Sequence, residues 1–120
     1  MILYIHTKCS TCKEAIHFLE KKKIAFTVKD IVKEPPSLLE LQTMLEYQHE
    51  NLKKLLNTSG QLYREMELSK KLDNLSTSAV LELLNQHGML IKRPFLLDIG
   101  VGLVGFNEKI WTETVKQLSQ

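Results

Sequence analysis

The chain has 120 residues, of which 43% are hydrophobic and 25% charged, and its formal net charge is +2. This length and composition are typical of one globular domain with a buried core and argue against a disordered chain. The small net charge gives no reason to expect direct binding to nucleic acid. No apolar run approaches the ~20 residues that cross a bilayer, and residues 1–5 are too short for the core of a signal peptide. We therefore expect a cytoplasmic protein that makes no membrane contact.

The first third of the chain alternates between strand and helix patterns. Residues 2–6 predict a short buried strand, and residues 24–29 predict a second one. Between them, a helix from about residue 12 to 22 is indicated by residues at helical spacing on one face: Cys12, Ala15, Ile16 and Leu19. A strand, helix and strand in this order form a parallel pair with a right-handed crossover.

The middle of the chain is helical in short pieces. Pro35-Pro36 interrupts the chain, and Ser37 with Glu40 forms a capping-box pattern that starts a helix. The helical pattern continues to about residue 87, where Gly88 is suited to cap the last of these helices.

The last third predicts two strands and a helix. Residues 94–97 and 101–104 are strand-like, and the turn residues between them indicate an antiparallel hairpin. Asn107 is suited to cap a final helix that runs to about residue 118.

This order of elements predicts an α/β protein with a thioredoxin-like fold. The expected sheet is mixed and four-stranded (β-α-β, then β-β-α), with an all-helical insertion of about residues 37–87. We expect a single domain over residues 1–120, with a core of residues 1–34 and 88–120 and the insertion within residues 35–87.

The motif Cys9-Ser10-Thr11-Cys12 follows the first strand and opens the first helix. Free N–H groups and partial positive charge at a helix N-terminus stabilise a thiolate, and Lys8 and Lys13 add positive potential nearby. In the cytoplasm, where thiols are kept reduced, such a pair is typical of redox chemistry. We predict that Cys9 attacks and forms a mixed disulfide, which Cys12 then resolves.

Other interpretations of the cysteines stay open. A CxxC motif can be half of a zinc site, but a structural site usually needs four ligands, and the four histidines show no ligand-type spacing. We therefore predict no metal. His6, three residues before Cys9, is suited to assist ionisation of the Cys9 thiol. The alternative is a half-buried histidine whose imidazole hydrogen-bonds to backbone groups. Two inert buried cysteines are the third alternative.

Arg93-Pro94 stands at the start of a predicted strand. An X-Pro bond at this place is a candidate cis peptide beside the thiol site. Arg93 would then hold an anion or the thiolate of Cys9. The alternative is a strand-edge proline preceded by a solvated arginine.

Several motifs together resemble those of the ArsC/Spx family, over essentially the whole chain. In chain order they are Cys9-Ser10-Thr11-Cys12-Lys13, Asp30-Ile31, Glu34-Pro35, Lys92-Arg93-Pro94 and Val104-Gly105-Phe106-Asn107. That family includes glutaredoxin-linked arsenate reductases and Spx-type regulators that bind the C-terminal domain of the RNA polymerase α subunit. The resemblance implies a thioredoxin-like fold with a helical insertion, a reactive Cys9 and an Arg93-Pro94 motif whose proline is usually cis.

The chain also departs from both branches of the family. The arsenate reductases use three arginines around the cysteine, whereas this chain has only Arg64 and Arg93. Lysine does not reproduce the planar fork with which arginine pairs two oxygens, which argues against efficient arsenate reduction. Spx-type regulators have a glycine where this chain has Asn51, and an arginine where it has Ser59. Both differences argue against the same polymerase contact.

Two functions therefore compete. The first is a thiol-dependent, arsenate reductase-like enzyme with no bound cofactor, reduced by glutathione or by a thioredoxin- or glutaredoxin-type protein. The second is a redox-switched regulator that binds the RNA polymerase α subunit or another protein. We favour the first and expect a monomer.

Overall fold

The computed structural model, which describes residues 1–118, contains a mixed sheet of four short strands. In chain order they are β1 (Ile2–Ile5), β2 (Thr27–Asp30), β3 (Phe95–Asp98) and β4 (Val101–Val104). The spatial order is β2-β1-β3-β4, with β1 parallel to β2 and antiparallel to β3, and β3 antiparallel to β4. This arrangement confirms the predicted fold class.

Helices connect the strands and cover both faces of the sheet. They are α1 (Ser10–Lys21), α2 (Leu38–Tyr47), α3 (Gln61–Glu65), α4 (Leu68–Lys71), α5 (Thr77–Gln86) and α6 (Glu108–Leu118), with 3₁₀ turns at Leu52–Leu55, Leu72–Asn74 and Gly88–Leu90. The segment between β2 and β3 is helical, and one isolated antiparallel bridge joins its Leu56 to Ile91. The last two residues of the predicted core segment 88–120 lie outside the described range. Within that range, no helix has the length and apolar character needed to cross a membrane.

Alternating side chains of β1 divide the core into two layers. Leu3 packs with α1 and α6, while Tyr4 faces the opposite side and packs with the helices between β2 and β3. In β3, Phe95 faces the same side as Tyr4, and Leu96 faces the same side as Leu3. This period of two is a direct consequence of strand geometry, so the central strands are buried on both faces.

The second strand begins later than residues 24–29 predict. Helix α1 ends in a Schellman motif, in which Lys23 adopts a left-handed φ of 59° and the Ile24 N–H donates to the Leu19 carbonyl at 3.1 Å. The chain then enters the sheet at Thr27, whose N–H donates to the Met1 carbonyl at 2.9 Å. Ile24 still packs in the α1–α6 layer, which explains why its apolar character resembled that of a strand residue.

Gly88 does not cap α5 in the way predicted. Helix α5 ends at Gln86 with His87 as its C-terminal cap, and Gly88 opens the following 3₁₀ turn. A Cβ at position 88 would lie 1.9 Å from the carbonyl oxygen of Ile31. Glycine is therefore required by the close approach of two backbone segments, because no other residue lacks a Cβ.

Other local predictions are confirmed. Ser37 forms the full capping box with Glu40 at the start of α2. Asn107 caps α6, since its Oδ1 accepts a hydrogen bond from the Ile110 N–H at 3.0 Å. The β3–β4 hairpin pairs Asp98 with Val101, which leaves a two-residue turn.

A partly buried hydrogen bond joins the sheet to α2. The Tyr4 hydroxyl, on a side chain that is 1% exposed, donates to the Glu40 carboxylate at 2.9 Å, and the same carboxylate accepts the Ser37 N–H at 3.0 Å. Tyr4→Phe should lower the free energy of unfolding by about 1.5 kcal/mol, because a hydrogen bond to a charged acceptor is lost.

Urea denaturation of wild type and Tyr4→Phe measures this loss. A double-mutant cycle with Glu40→Ala should show coupling between the two sites. A change below about 0.5 kcal/mol for Tyr4→Phe would contradict the assigned role.

Candidate active site

The topology of the sheet brings three chain segments together at one end of its strands. β1 ends where antiparallel β3 begins, as the pairing of Tyr4 with Phe95 shows. β4 ends at this same end of the sheet, because its last residue, Val104, also pairs with Phe95. The CxxC motif, the Arg93-Pro94 pair and residues 105–107 are therefore neighbours.

Cys9 is the N-terminal cap of α1. Its backbone is extended (φ −96°, ψ 112°), and its Sγ accepts a hydrogen bond from the Cys12 N–H at 3.2 Å. The helix accordingly begins at Ser10, two residues earlier than predicted, because the sulfur takes the capping role that serine, threonine or aspartate usually has. One of the free N–H groups of the helix thus points at the sulfur of the predicted nucleophile.

Cys12 lies behind Cys9 and is buried, with 1% of its surface exposed. Burial, followed by a hydrogen bond with the Cys9 side chain, raises the pKa of the Cys12 thiol to about 12, although a backbone hydrogen bond from His6 and the Arg93 charge act in the opposite direction. Both Cys9 and Cys12 are free cysteines. Cys12 is therefore a neutral thiol at physiological pH, and Cys9 is the more accessible of the two sulfurs.

This difference predicts selective alkylation. Iodoacetamide at pH 8 should modify Cys9 and leave Cys12 unmodified, because Cys12 is buried and its pKa of about 12 keeps it protonated. Peptide mass spectrometry of briefly treated protein measures both sites. In urea both cysteines should react, and equal labelling of the two in the native protein would contradict the prediction.

The predicted supporting residues surround the motif. His6 lies just after β1, which ends at Ile5, and its backbone carbonyl accepts the Cys9 N–H at 3.1 Å. Lys8 and Lys13 are exposed on either side of Cys9, and the first turn of α1 contains no acidic residue. The backbone of His6 thus positions Cys9, while assistance by its imidazole stays a prediction.

Arg93 reaches the site from the start of β3. The Arg93–Pro94 peptide bond is cis, as predicted, and Pro94 is buried. The Arg93 guanidinium donates two long hydrogen bonds, to the carbonyls of Met89 (3.4 Å) and Ile91 (3.5 Å). Within residues 1–118 no carboxylate pairs with it. Its charge acts on Cys12, which places it in electrostatic range of the motif.

A cleft of about 700 Å³ opens beside the motif. Thr11, between the two cysteines, lines it, and so does Arg93. The partly exposed Phe106 lines it too, together with Trp111, which is 1% exposed and whose indole N–H donates to the Gly105 carbonyl at 3.1 Å. Clefts of this volume accommodate organic ligands.

Three lysines that were not predicted as site residues also line the cleft: Lys53, Lys54 and Lys92, the last of which belongs to the Lys92-Arg93-Pro94 motif. The 3₁₀ turn that contains Lys53 and Lys54 is fastened beside Lys92 by a hydrogen bond from the Lys92 N–H to the Leu55 carbonyl at 2.8 Å. Nothing in the local sequence distinguishes Lys53 and Lys54 from ordinary surface lysines, because the contact joins residues far apart in the chain.

Arg64 does not join the site. It is exposed, and its guanidinium donates to the Ser59 carbonyl at 2.8 Å. Of the two arginines in the chain, Arg93 alone lines the cleft. In residues 1–118 no group of three or more histidine, cysteine or acidic side chains is arranged to hold a metal ion.

Comparison with known proteins identifies relatives along almost the whole chain. A model of the ArsC family matches residues 4–114. The protein YusI of Bacillus subtilis is 41% identical over 113 residues, covering 94% of this chain and 96% of YusI. The global transcriptional regulator Spx of Streptococcus agalactiae is 28% identical over 106 residues, covering 88% of this chain and 76% of Spx.

Solved structures give the same result for the fold. The crystal structure described as a "possible arsenate reductase" from Streptococcus mutans superposes with a TM-score of 0.84 at 37% identity, covering 92% of this chain and 96% of that one. An ArsC family related protein from Bacteroides fragilis superposes with a TM-score of 0.87 at 33% identity, covering 93% and 94% of the two chains. The similarity thus includes both the sheet and the helices between β2 and β3.

Proposed function

Because the chain belongs to the ArsC family, we propose that it is a thiol-dependent reductase in which Cys9 attacks and Cys12 resolves. The observation that carries this proposal is the hydrogen bond from the Cys12 N–H to the Cys9 sulfur at the start of α1. It puts a partly exposed sulfur at a helix N-terminus, with a buried second thiol directly behind it.

The reaction that these residues support is thiol–disulfide exchange. The Cys9 thiolate attacks one sulfur of a substrate disulfide, so a Cys9–substrate disulfide forms, the substrate S–S bond breaks and one thiolate leaves. Cys12 then loses its proton and attacks the Cys9 sulfur, which releases the second thiolate and leaves a Cys9–Cys12 disulfide. A small thiol such as glutathione, or a thioredoxin- or glutaredoxin-type protein, would return the pair to the reduced state in the cytoplasm.

The environment of Cys12 suits this order of events. Besides burial, two causes of its raised pKa come from Cys9, namely the hydrogen bond between the thiols and the charge of the Cys9 thiolate. Both are removed once the Cys9 sulfur is bound in a mixed disulfide. The pKa of Cys12 should then fall, so the resolving thiol becomes more easily ionised when it is needed.

An inorganic oxyanion is a less suitable substrate for this site. Arg93 is the single arginine at the cleft. Its planar guanidinium can donate two parallel hydrogen bonds to two oxygens of an oxyanion, whereas a lysine ammonium reproduces this geometry poorly. We therefore propose disulfides and mixed disulfides of organic thiols as the substrate class, with arsenate reduction at most a slow side reaction.

A trapping experiment tests the proposal. Cys12→Ser leaves Cys9 able to form a mixed disulfide but removes the thiol that resolves it. Expressed in cells, this variant should accumulate adducts of Cys9 with a small thiol or with a reductase, which mass spectrometry identifies. Capture of RNA polymerase subunits would instead favour the redox-switched regulator, and a Cys9 that stays unmodified would contradict both.

A further inference from the structure

We propose that the outer edge of β2 pairs with the β2 edge of a second copy of this chain, so that two sheets join across a two-fold axis at Val28. The pairing is antiparallel, and the Val28 N–H of each copy donates to the Val28 carbonyl of the other. It does not involve the cysteines, and it differs from the monomer that the sequence led us to expect.

The two edge strands of the sheet differ in what covers them. At β4, the Gln48 side chain donates to the Gly102 carbonyl at 2.8 Å, and the Tyr47 ring would lie 2.7 Å from a Cβ added at Gly102. The end of α2 therefore covers this edge. Within residues 1–118, β2 pairs with β1 alone, so its outer edge is unpaired. Such an edge is a template for a further strand.

The hydrogen bonds to β1 show which groups of β2 point outward. The Thr27 N–H donates to the Met1 carbonyl at 2.9 Å, and the Ile31 N–H donates to the Ile5 carbonyl at 2.8 Å. Backbone groups alternate in direction along a strand, so the N–H and the carbonyl of Val28 both point away from β1. Val28 thus presents one donor and one acceptor at the edge.

Charge and hydrogen bonding select one register for the self-pairing. A two-fold axis perpendicular to the sheet pairs residues on the same face, so β2 (Thr27–Asp30) overlaps most when the axis passes through Val28 or Lys29. An axis at Lys29 would set two lysines directly opposite each other, which is destabilising. It would also direct the Val28 N–H at the Asp30 carbonyl, which already accepts the Glu34 N–H at 2.8 Å. The axis therefore passes through Val28.

This register satisfies the outward groups of both strands. The two Val28 residues exchange a pair of hydrogen bonds, and their side chains, each 45% exposed in one chain, face each other. The Asp30 N–H of each copy lies opposite the Phe26 carbonyl of the other. That carbonyl points outward because the N–H of the same planar peptide unit, which belongs to Thr27, points at β1.

Lys29 leaves this pairing open. A lysine in an edge strand often discourages pairing. The Nζ of Lys29, however, lies 5.9 Å from the centroid of the Tyr4 ring, so this side chain extends over its own sheet. In the Val28-centred register the residue opposite Lys29 is the neutral Thr27.

The surface beside β2 is apolar. Four of the seven exposed large hydrophobic side chains within residues 1–118 lie in residues 28–39, namely Val28, Val32, Leu38 and Leu39. Helix α2 begins near β1, where Glu40 accepts the Tyr4 hydroxyl, and it ends at β4, so its first turn lies toward the β2 edge. Clustered apolar side chains at a surface mark an interaction site.

The oligomeric state in the presence of a thiol reductant tests the proposal. Sedimentation equilibrium should show a mass that rises with concentration toward that of two chains, with a Kd of about 100 μM because the paired edge is short. A mass that stays at that of one chain up to about 1 mM would overturn the proposal and would leave the edge to a strand of another protein.

Charged variants at the two-fold axis test the register. Val28→Lys and Val28→Glu each place like charges opposite each other, so each variant alone should dimerise at least about tenfold more weakly than wild type. An equimolar mixture of the two should regain about the wild-type Kd, because opposite charges then meet. Circular dichroism checks that both variants are folded. Undiminished single variants, or a mixture that does not recover, would overturn the pairing at Val28.

Ile99 is the matched control. Its side chain is 95% exposed, and it lies in the turn between β3 and β4, on the far side of the sheet from β2. Ile99→Lys, Ile99→Glu and their mixture should all keep the wild-type Kd. Equal effects at Ile99 and Val28 would show that net charge, rather than the β2 edge, controls association.

Amide hydrogen exchange locates the interface. In dilute protein the outward Val28 and Asp30 amides should exchange faster than the Thr27 amide, which is bonded to β1. At concentrations where the dimer forms, exchange at Val28 and Asp30 should slow by about threefold or more, while Thr27 stays unchanged. A dimer in which Val28 exchanges as fast as in the monomer would be formed through another surface and would overturn the proposal.

Discussion

Replacing Cys9 with serine should slow disulfide exchange by about a thousandfold or more. A serine hydroxyl does not ionise at neutral pH, and Cys12 cannot act in its place because it is buried and its pKa is about 12. Stopped-flow measurement of thiolate release from an aromatic disulfide gives the rate.

Cys12→Ser is the matched control for this experiment. It should release one thiolate per molecule at close to the wild-type rate and then stop, whereas wild type releases two. Circular dichroism checks that both variants are folded. A Cys9→Ser protein that reacts as fast as wild type would show that Cys9 is not the nucleophile.

Replacing Gly88 with alanine should lower the free energy of unfolding by about 3 kcal/mol or more. The added Cβ would lie 1.9 Å from the Ile31 carbonyl oxygen and 2.7 Å from its carbon, so a backbone segment must move. Ile31 is itself fully buried, directly after β2. The contact holds the end of the helical segment against the sheet, and its loss should destabilise the whole chain.

Denaturant unfolding measures this effect, and His87→Ala is the control. His87 is the exposed neighbour of Gly88, so its replacement should change stability by no more than about 0.5 kcal/mol. A Gly88→Ala protein as stable as His87→Ala would contradict the assigned backbone contact.

Local patterns were sufficient for most of the elements. The capping box at Ser37, the Asn107 cap and the β3–β4 turn are made by residues close together in the chain, so their chemistry can be read from spacing. The boundaries that were wrong involve groups whose role is unusual for their type. Cys9 acts as a helix cap, and Lys23 adopts a left-handed backbone that glycine normally occupies.

The amino-acid sequence by itself predicted the thiol chemistry, since a CxxC motif between a strand and a helix favours the first cysteine as the nucleophile and the second as the resolving thiol. It also determined the fold class, because periods of two and of 3.6 residues dictate which faces are buried. Tertiary structure alone decided which cations meet at the cleft and why Gly88 is a glycine. Lys53 and Lys92 are 39 positions apart in the chain. They become neighbours only through the Leu55–Lys92 hydrogen bond, and such non-local contacts leave no periodic trace in the sequence.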